Sequence, residues 1–163
     1  MRDPYLKVLS IFNRKKVDYL IIGVSGINYY AKSTMNIIMT ADYDIFIKPE
    51  KKNVARALKV MSSLGYAIQT EDRTINKIDD KTVKNIVDKR KTIICENVYH
   101  NLIELCLDVS GFTFEELCKN VNTFKAGKDK IFVANLKDLL KMKEVADRPK
   151  DRLFLKKYSD LLE

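Results

Sequence analysis

Histidine occurs once in this 163-residue chain, as His100. That excludes a histidine-rich metal centre and a Ser-His-Asp triad with a histidine to spare. Cysteine is scarce as well. Cys95, Cys106 and Cys118 are odd in number, lie 11 and 12 residues apart and form no C-x-x-C. The pattern points away from a disulfide framework or a cysteine zinc site and toward free, buried thiols. No apolar run approaches the roughly 20 residues of a membrane span. The opening "MRDPYLKVLSIFNRKK" lacks the apolar block and cleavage site of a signal peptide. A cytoplasmic protein without a membrane partner is therefore expected. There is no internal repeat and no low-complexity linker.

What is present is an ordinary globular composition with a skewed charge. Hydrophobic residues make up 46% and charged residues 32%, enough for one domain that buries roughly two-thirds of its extended surface. The net charge is +8. From Lys125 to Lys157 there are eleven Lys and Arg against five Asp and Glu, a surplus of six, so most of the excess lies in the last fifth of the chain. Solvated helix faces would account for it, and so would a site for a nucleotide or nucleic acid.

Periodicity divides the chain into short elements. Residues 3–16 carry Tyr5, Leu6, Leu9 and Phe12 at helical spacing. "VDYLIIG" is an apolar strand ended by glycine, and "SGINYYAK" is a helix for which Ser25 is the candidate cap. An irregular link, "STMNIIMT", leads to a strand at 42–47. "KPEKKNVARALKVMSSLGY" is a helix with Pro49 near its start, Val54, Ala57, Leu58 and Met61 on one face, and Gly65 as its stop. A short strand is expected at Tyr66 to Gln69. Residues 71–92 are polar, with a weak stripe of Ile75, Ile78, Val83, Ile86 and Val87, and read as a peripheral insertion. "NLIELCLDV" alternates as a strand, with Leu102, Glu104, Cys106 and Asp108 on one face. Thr113 and Glu116 have capping-box spacing ahead of "FEELCKN". A strand "KIFVA" and two helices at about 136–162, the second opened by Pro149, complete the chain. The expected fold class is α+β: a small mixed sheet with helices packed on it and a C-terminal helical segment, all in a single domain spanning 1–163.

Chemistry concentrates in "MTADYDIFI". Asp42 and Asp44 project from one face of a strand, about 7 Å apart. Like charges so close call for a cation, and magnesium favours one or two carboxylates plus phosphate oxygens. A lone D-x-D also fits a solvated strand face. Upstream, "IIGVSG" ends a strand at Gly23 and turns through Ser25 and Gly26 into a helix, where backbone N–H groups can cradle phosphate. A third carboxylate for two-metal phosphoryl chemistry is available in Glu104 or Asp108.

These residues resemble a known family. "YLIIGVSGINYYA…MTADYDIFI" resembles the nucleotidyltransferase fold of polymerase-beta-like enzymes, most closely the small antitoxin-like, AbiEii-like group. "IELCLDVSGFTFEEL" is similar to that family's third-carboxylate strand, and its glycine, here Gly111, selects Glu104 over Asp108. "LLKMKEVADRPKD" resembles the family's tail. The likeness spans about Val17 to Asp151, interrupted at 71–92. Val24 stands where many relatives carry Gly or Ser, and Ile38 and Met39 precede Thr40 where a basic residue is usual.

The resemblance implies transfer of a nucleoside monophosphate from an NTP to an acceptor hydroxyl, with release of pyrophosphate. Asp42, Asp44 and Glu104 would be catalytic and would hold two magnesium ions, with manganese as a substitute. Gly23, Ser25, Gly26 and Thr40 would bind the nucleotide, and Lys143, Arg148 and Lys150 the pyrophosphate or acceptor. Lys143 and Lys150 also suit exposed helix positions, and Arg148 suits a pairing with a nearby carboxylate. The acceptor would be RNA, a protein or a small molecule. The alternative is a weakly catalytic or non-catalytic module, such as the antitoxin of a toxin–antitoxin pair, acting with a small helical partner protein. A basic nucleic-acid-binding domain with incidental carboxylates ranks last, because basic and aromatic residues do not interleave.

Overall fold

The computed structural model describes residues 3–162, with side chains to residue 160. Residues 1, 2 and 163, the extreme ends of the expected domain, lie outside the described residues. Helix α1 (Pro4–Arg14) starts where Asp3 accepts from the Tyr5 N–H, and it buries Val8, Leu9 and Phe12. Strand β1 (Tyr19–Ile21) leads directly into α2 (Gly23–Asn28). A loop with one 3-10 turn (Thr34–Asn36) connects α2 to β2 (Tyr43–Ile47). Then come α3 (Lys51–Ser63), β3 (Ala67–Gln69), α4 (Asp80–Asp88), β4 (Ile93–Glu96), β5 (Leu102–Cys106) and α5 (Phe114–Cys118). The hairpin β6 (Asn122–Ala126) and β7 (Asp129–Val133) precedes α6 (Leu136–Ala146) and α7 (Pro149–Leu162).

The strands form one mixed sheet in the order β3-β4-β5-β2-β1-β7-β6. β2 runs parallel to β5 and β1 parallel to β7, and the other neighbours are antiparallel. Helices cover both faces. Tyr43, Ile45 and Ile47 join α1, α3 and α4 in one core. Phe46 and Leu20 join Phe114, Leu117, Leu139 and Met142 in the other. β2 is therefore a central strand with apolar cover on both sides, and Asp44 interrupts the second of these faces.

Three expectations change. α2 opens at Gly23, not Ser25, and the serine does not cap it. Its hydroxyl is buried and bridges to the next strand, donating to the Asp42 carbonyl and accepting from the Asp44 N–H, each at 3.2 Å. Residues 71–92 are not peripheral: Ile75, Val83 and Ile86 lie in the main core, because α4 packs against α3. β4 and β6 were not anticipated. β4 is a run of only four residues, and β6 is an edge strand with alternating half-exposed positions rather than an apolar face. The Thr113–Glu116 capping box is present in both directions, at 3.0 and 3.2 Å. Among the described residues no helix is long and apolar enough to cross a membrane.

Candidate active site

The site forms at the end of the sheet where β1 leaves and β2 and β5 enter. Because β2 and β5 are parallel, Asp44 stands directly beside Glu104, one strand spacing or about 4.8 Å away. Asp44 is held from its backbone, with its carbonyl accepting from Ile22 N–H at 3.0 Å and its N–H bound to Ser25 Oγ. Asp42 lies just before the strand, where the Thr40 hydroxyl donates to its Oδ1 at 2.8 Å. Gly23 faces this group at φ +64°, and a Cβ there would run into the Asp44 carboxylate. Both the backbone angle and the close approach require glycine.

Gly23, Asp42, Asp44 and Glu104 form one side of a cavity of about 420 Å³ whose other side carries Lys143, Arg148 and Lys150. The cationic side is organised by a residue that the sequence reading missed. Asp151, 1% exposed, receives Arg148 Nε at 2.6 Å and Nη2 at 3.2 Å, and Lys143 Nζ lies 3.7 Å away. Arg148 does pair with a nearby carboxylate, and Asp151 ties it to Lys143. The Lys143 ammonium also sits 4.3 Å from the centre of the Phe154 ring. The i, i+3 spacing of Arg148 and Asp151 across Pro149 was the available signal.

The electrostatics are asymmetric. Burial, then the charges of Asp42 and Glu104, push the Asp44 carboxyl up to about 7, against the pull of Lys143 and Lys150. Burial and Asp42 likewise raise Glu104. Desolvation lowers Lys143, with Asp151 opposing. Burial first, and the neighbouring acids second, thus disfavour the charged forms of Asp44 and Glu104, a shift of the kind common at functional sites.

The predicted site residues divide as follows. Gly23, Asp42, Asp44, Glu104, Lys143, Arg148 and Lys150 share the cavity, and Asp108 lines it farther along, beyond the end of β5. Ser25 and Thr40 line a neighbouring cavity that also touches Asp42. Gly26 is packed between Ile21 O and Leu139, and its N–H is bonded to Ile22 O at 2.9 Å. His100 is outside the site, on the turn between β4 and β5, with Nδ1 2.8 Å from Glu96.

Ligand atoms of Asp44, Glu104 and Cys106 lie within 4.8 Å of one another. The two carboxylates are hard oxygen donors and suit magnesium or manganese. Burial raises the Cys106 thiol and keeps it protonated, so it is a neighbour of such an ion rather than a ligand for magnesium.

No protein-family model matches the chain, and no curated protein sequence does. Among solved structures, the crystal structure of the lincosamide antibiotic adenylyltransferase LnuA, lincomycin-bound, matches at TM-score 0.60 and 13% identity, covering 96% of this chain and 95% of that one. At that identity the likeness speaks for the backbone: the chain has the nucleotidyltransferase fold.

Proposed function

We propose that the protein transfers a nucleoside monophosphate from an NTP to an acceptor hydroxyl and releases pyrophosphate. The observation that carries this reading is the side-by-side register of Asp44 and Glu104 at a glycine-edged cavity faced by Lys143. In this reading the chain is a single cytoplasmic nucleotidyltransferase-like domain. Its membership of the antitoxin-like, AbiEii-like group is part of the proposal and rests on the sequence motifs, the tail "LLKMKEVADRPKD" among them.

Asp42, Asp44 and Glu104 would hold two magnesium ions. When bound, the ions would neutralise the triphosphate and lower the pKa of the acceptor hydroxyl. The chain's own residues do the remaining work. Gly23 allows phosphate to approach beside Asp44 where any side chain would block it. Lys143, held against Asp151 and Phe154, faces the departing pyrophosphate as a fixed charge. Arg148 and Lys150 add charge at the more open end of the cavity. Ser25 contributes as a strut that fixes β2 under Asp44.

The test is calorimetric titration with ATP or CTP plus magnesium, on the parent and on the Asp42→Ala, Asp44→Ala double variant. Binding that persists in the variant counts against the site. Transfer is then assayed with labelled NTPs offered to tRNA, a partner protein and small alcohols. Magnesium-dependent nucleotide binding without any labelled product would favour the non-catalytic antitoxin reading.

A further inference from the structure

A second cavity, of about 590 Å³, adjoins the charged one and shares Asp42 with it. We propose that this second cavity is the acceptor site, and that it takes a small, partly apolar alcohol rather than a nucleic acid. The inference rests on the nucleotidyl-transfer reading above and supplies its missing substrate class.

Four observations support it. The first is volume, which falls within the ~300–1,000 Å³ of small-molecule sites. The second is the lining. Tyr5 stacks on Tyr43 with ring centres 4.5 Å apart, and the Tyr29 and Tyr43 hydroxyls bond each other at 2.5 Å. Phe124 packs against Tyr29, and Ile37 and Ile38 contribute aliphatic surface. Such walls favour a ring or an aliphatic body, with few polar groups to orient it. The third is charge. The ionisable lining among the described residues is Asp3, Asp42 and Lys125, tyrosines aside. A nucleic acid needs a cationic track for its phosphates, whereas Lys143, Arg148 and Lys150 all face the other cavity. The fourth is pre-organisation. The Asn28 side chain donates to Ile38 O and accepts from Ile38 N–H, both at 2.8 Å, which fixes the 37–40 loop to α2. The outer wall is thus tied down by the same loop whose Thr40 orients Asp42.

Asp42 is the boundary between the two spaces. An alcohol seated against Tyr29 and Tyr43 would present its oxygen past Asp42 to the α-phosphorus of an NTP in the charged cavity. The new bond is alcohol oxygen to α-phosphorus, and the bond broken is the α–β phosphoanhydride. Pyrophosphate leaves toward Lys143, and the hydroxyl proton passes to water at the open mouth. The product is a nucleoside monophosphate ester of the alcohol.

The two cavities carry separate methyl reporters, so one NMR experiment reads both. Ile37, Ile38 and Met39 line the second cavity, and Leu139 and Met142 the first. Methyl-labelled protein is titrated with magnesium and a non-hydrolysable ATP analogue, then with 2-phenylethanol, and in parallel with unfractionated tRNA. The nucleotide is expected to shift Leu139 and Met142, and the alcohol to shift Ile38 and Met39. Ile37 is 52% exposed, so Ile37→Arg can be accommodated in the fold while setting a charge on the apolar wall. It is expected to weaken the alcohol response about tenfold and to leave the nucleotide response unchanged. An alcohol that leaves Ile38 and Met39 unmoved overturns the proposal, and so does tRNA that moves them in its place. A nucleotide that leaves Leu139 and Met142 unmoved, with the alcohol still bound, sinks the transfer reading and with it the acceptor role, and is recognisable as that separate failure.

Discussion

Asp44 and Asp151 are the same side chain, both withdrawn from water, one lining the charged cavity and the other behind the Lys143 and Arg148 that line it, yet their surroundings drive them in opposite directions. Asp151 is the more buried, and burial alone would raise its pKa. The hydrogen bonds and charge of Arg148, with Lys143 behind them, outweigh that and hold it below the usual carboxylate range. At Asp44 burial, reinforced by the charges of Asp42 and Glu104, pushes the carboxyl up to about 7. Burial raises both; what turns Asp151 downward is compensation by Arg148 and Lys143, which Asp44 lacks at close range. A compensated carboxylate is architecture, and here it fixes the cationic side of the cavity. An uncompensated one has affinity to spare for a cation, which is why the acidic side rather than the salt-bridged side is the place to look for a metal.

The contrast can be broken from either side. The largest effect is expected at Asp44. If a Lewis-acid site worth several kcal/mol depends on it, Asp44→Asn lowers NMP transfer by about 10³-fold while the protein stays folded. Single-turnover assays with labelled NTP measure the loss. At Asp151 the order of consequences reverses. Asp151→Ala leaves Arg148 and Lys143 without their shared partner. Half of Arg148 is in solvent, so the cost is expected at about 2 kcal/mol rather than the ~3–5 of a fully buried pair. Urea denaturation reads it, and nucleotide affinity falls as a secondary effect because Lys143 loses its anchor. Gly23→Ala comes next. The left-handed backbone costs about 1–2 kcal/mol, and the new methyl displaces the Asp44 carboxylate. Magnesium–ATP binding is expected to vanish by calorimetry, with only a modest fall in Tm.

Both aspartates stand in the sequence, but only one could be read there. Asp44 was legible because a charged residue inside an apolar strand contradicts its own pattern. Glu104 followed from period-two alternation and from the resemblance to the third-carboxylate strand. Their adjacency was not legible, because the parallel register of β2 with β5 is set between residues as far apart in the chain as 44 and 104. Asp151 closed the tail motif but carried no assigned role, since local spacing does not reveal that Lys143, one helix earlier, turns back to meet it. The fold divides along the same line. Helices with a strong apolar stripe, such as Lys51–Ser63, were legible. The edge strand Asn122–Ala126 was not, because its stability comes from pairing with its hairpin partner rather than from a buried face of its own. The capping role of Ser25 fails for a related reason. A serine after a glycine turn suits a cap or a phosphate ligand locally, and only the tertiary fold brings β2 close enough to claim its hydroxyl.

The smallest expected effect is the most direct test of the comparison, because the two residues predict slopes of opposite sign. Asp44 has a folded-state pKa above its ordinary value of 3.8. Between about pH 4 and pH 7 the native state keeps a proton that the unfolded chain releases, so metal-free stability falls as pH rises through that window. Asp151 has a lowered folded-state pKa. Its contribution is complete above the ordinary carboxylate pKa and is lost only as pH falls below it. Urea midpoints in EDTA at pH 5 and pH 8 therefore separate Asp44 from Asp151, which is ionised at both. Glu104, also raised, adds to the slope with the same sign, and Asp44→Asn tells its share from that of Asp44. After allowance for solvent screening the difference is expected at about 1 kcal/mol, or roughly 3 °C in Tm for a chain of this size. Asp44→Asn should flatten the slope, and millimolar magnesium should do the same in the parent by supplying the missing positive charge. A parent slope that persists unchanged in Asp44→Asn would mean that another group sets it, and that Asp44 is no less compensated than Asp151.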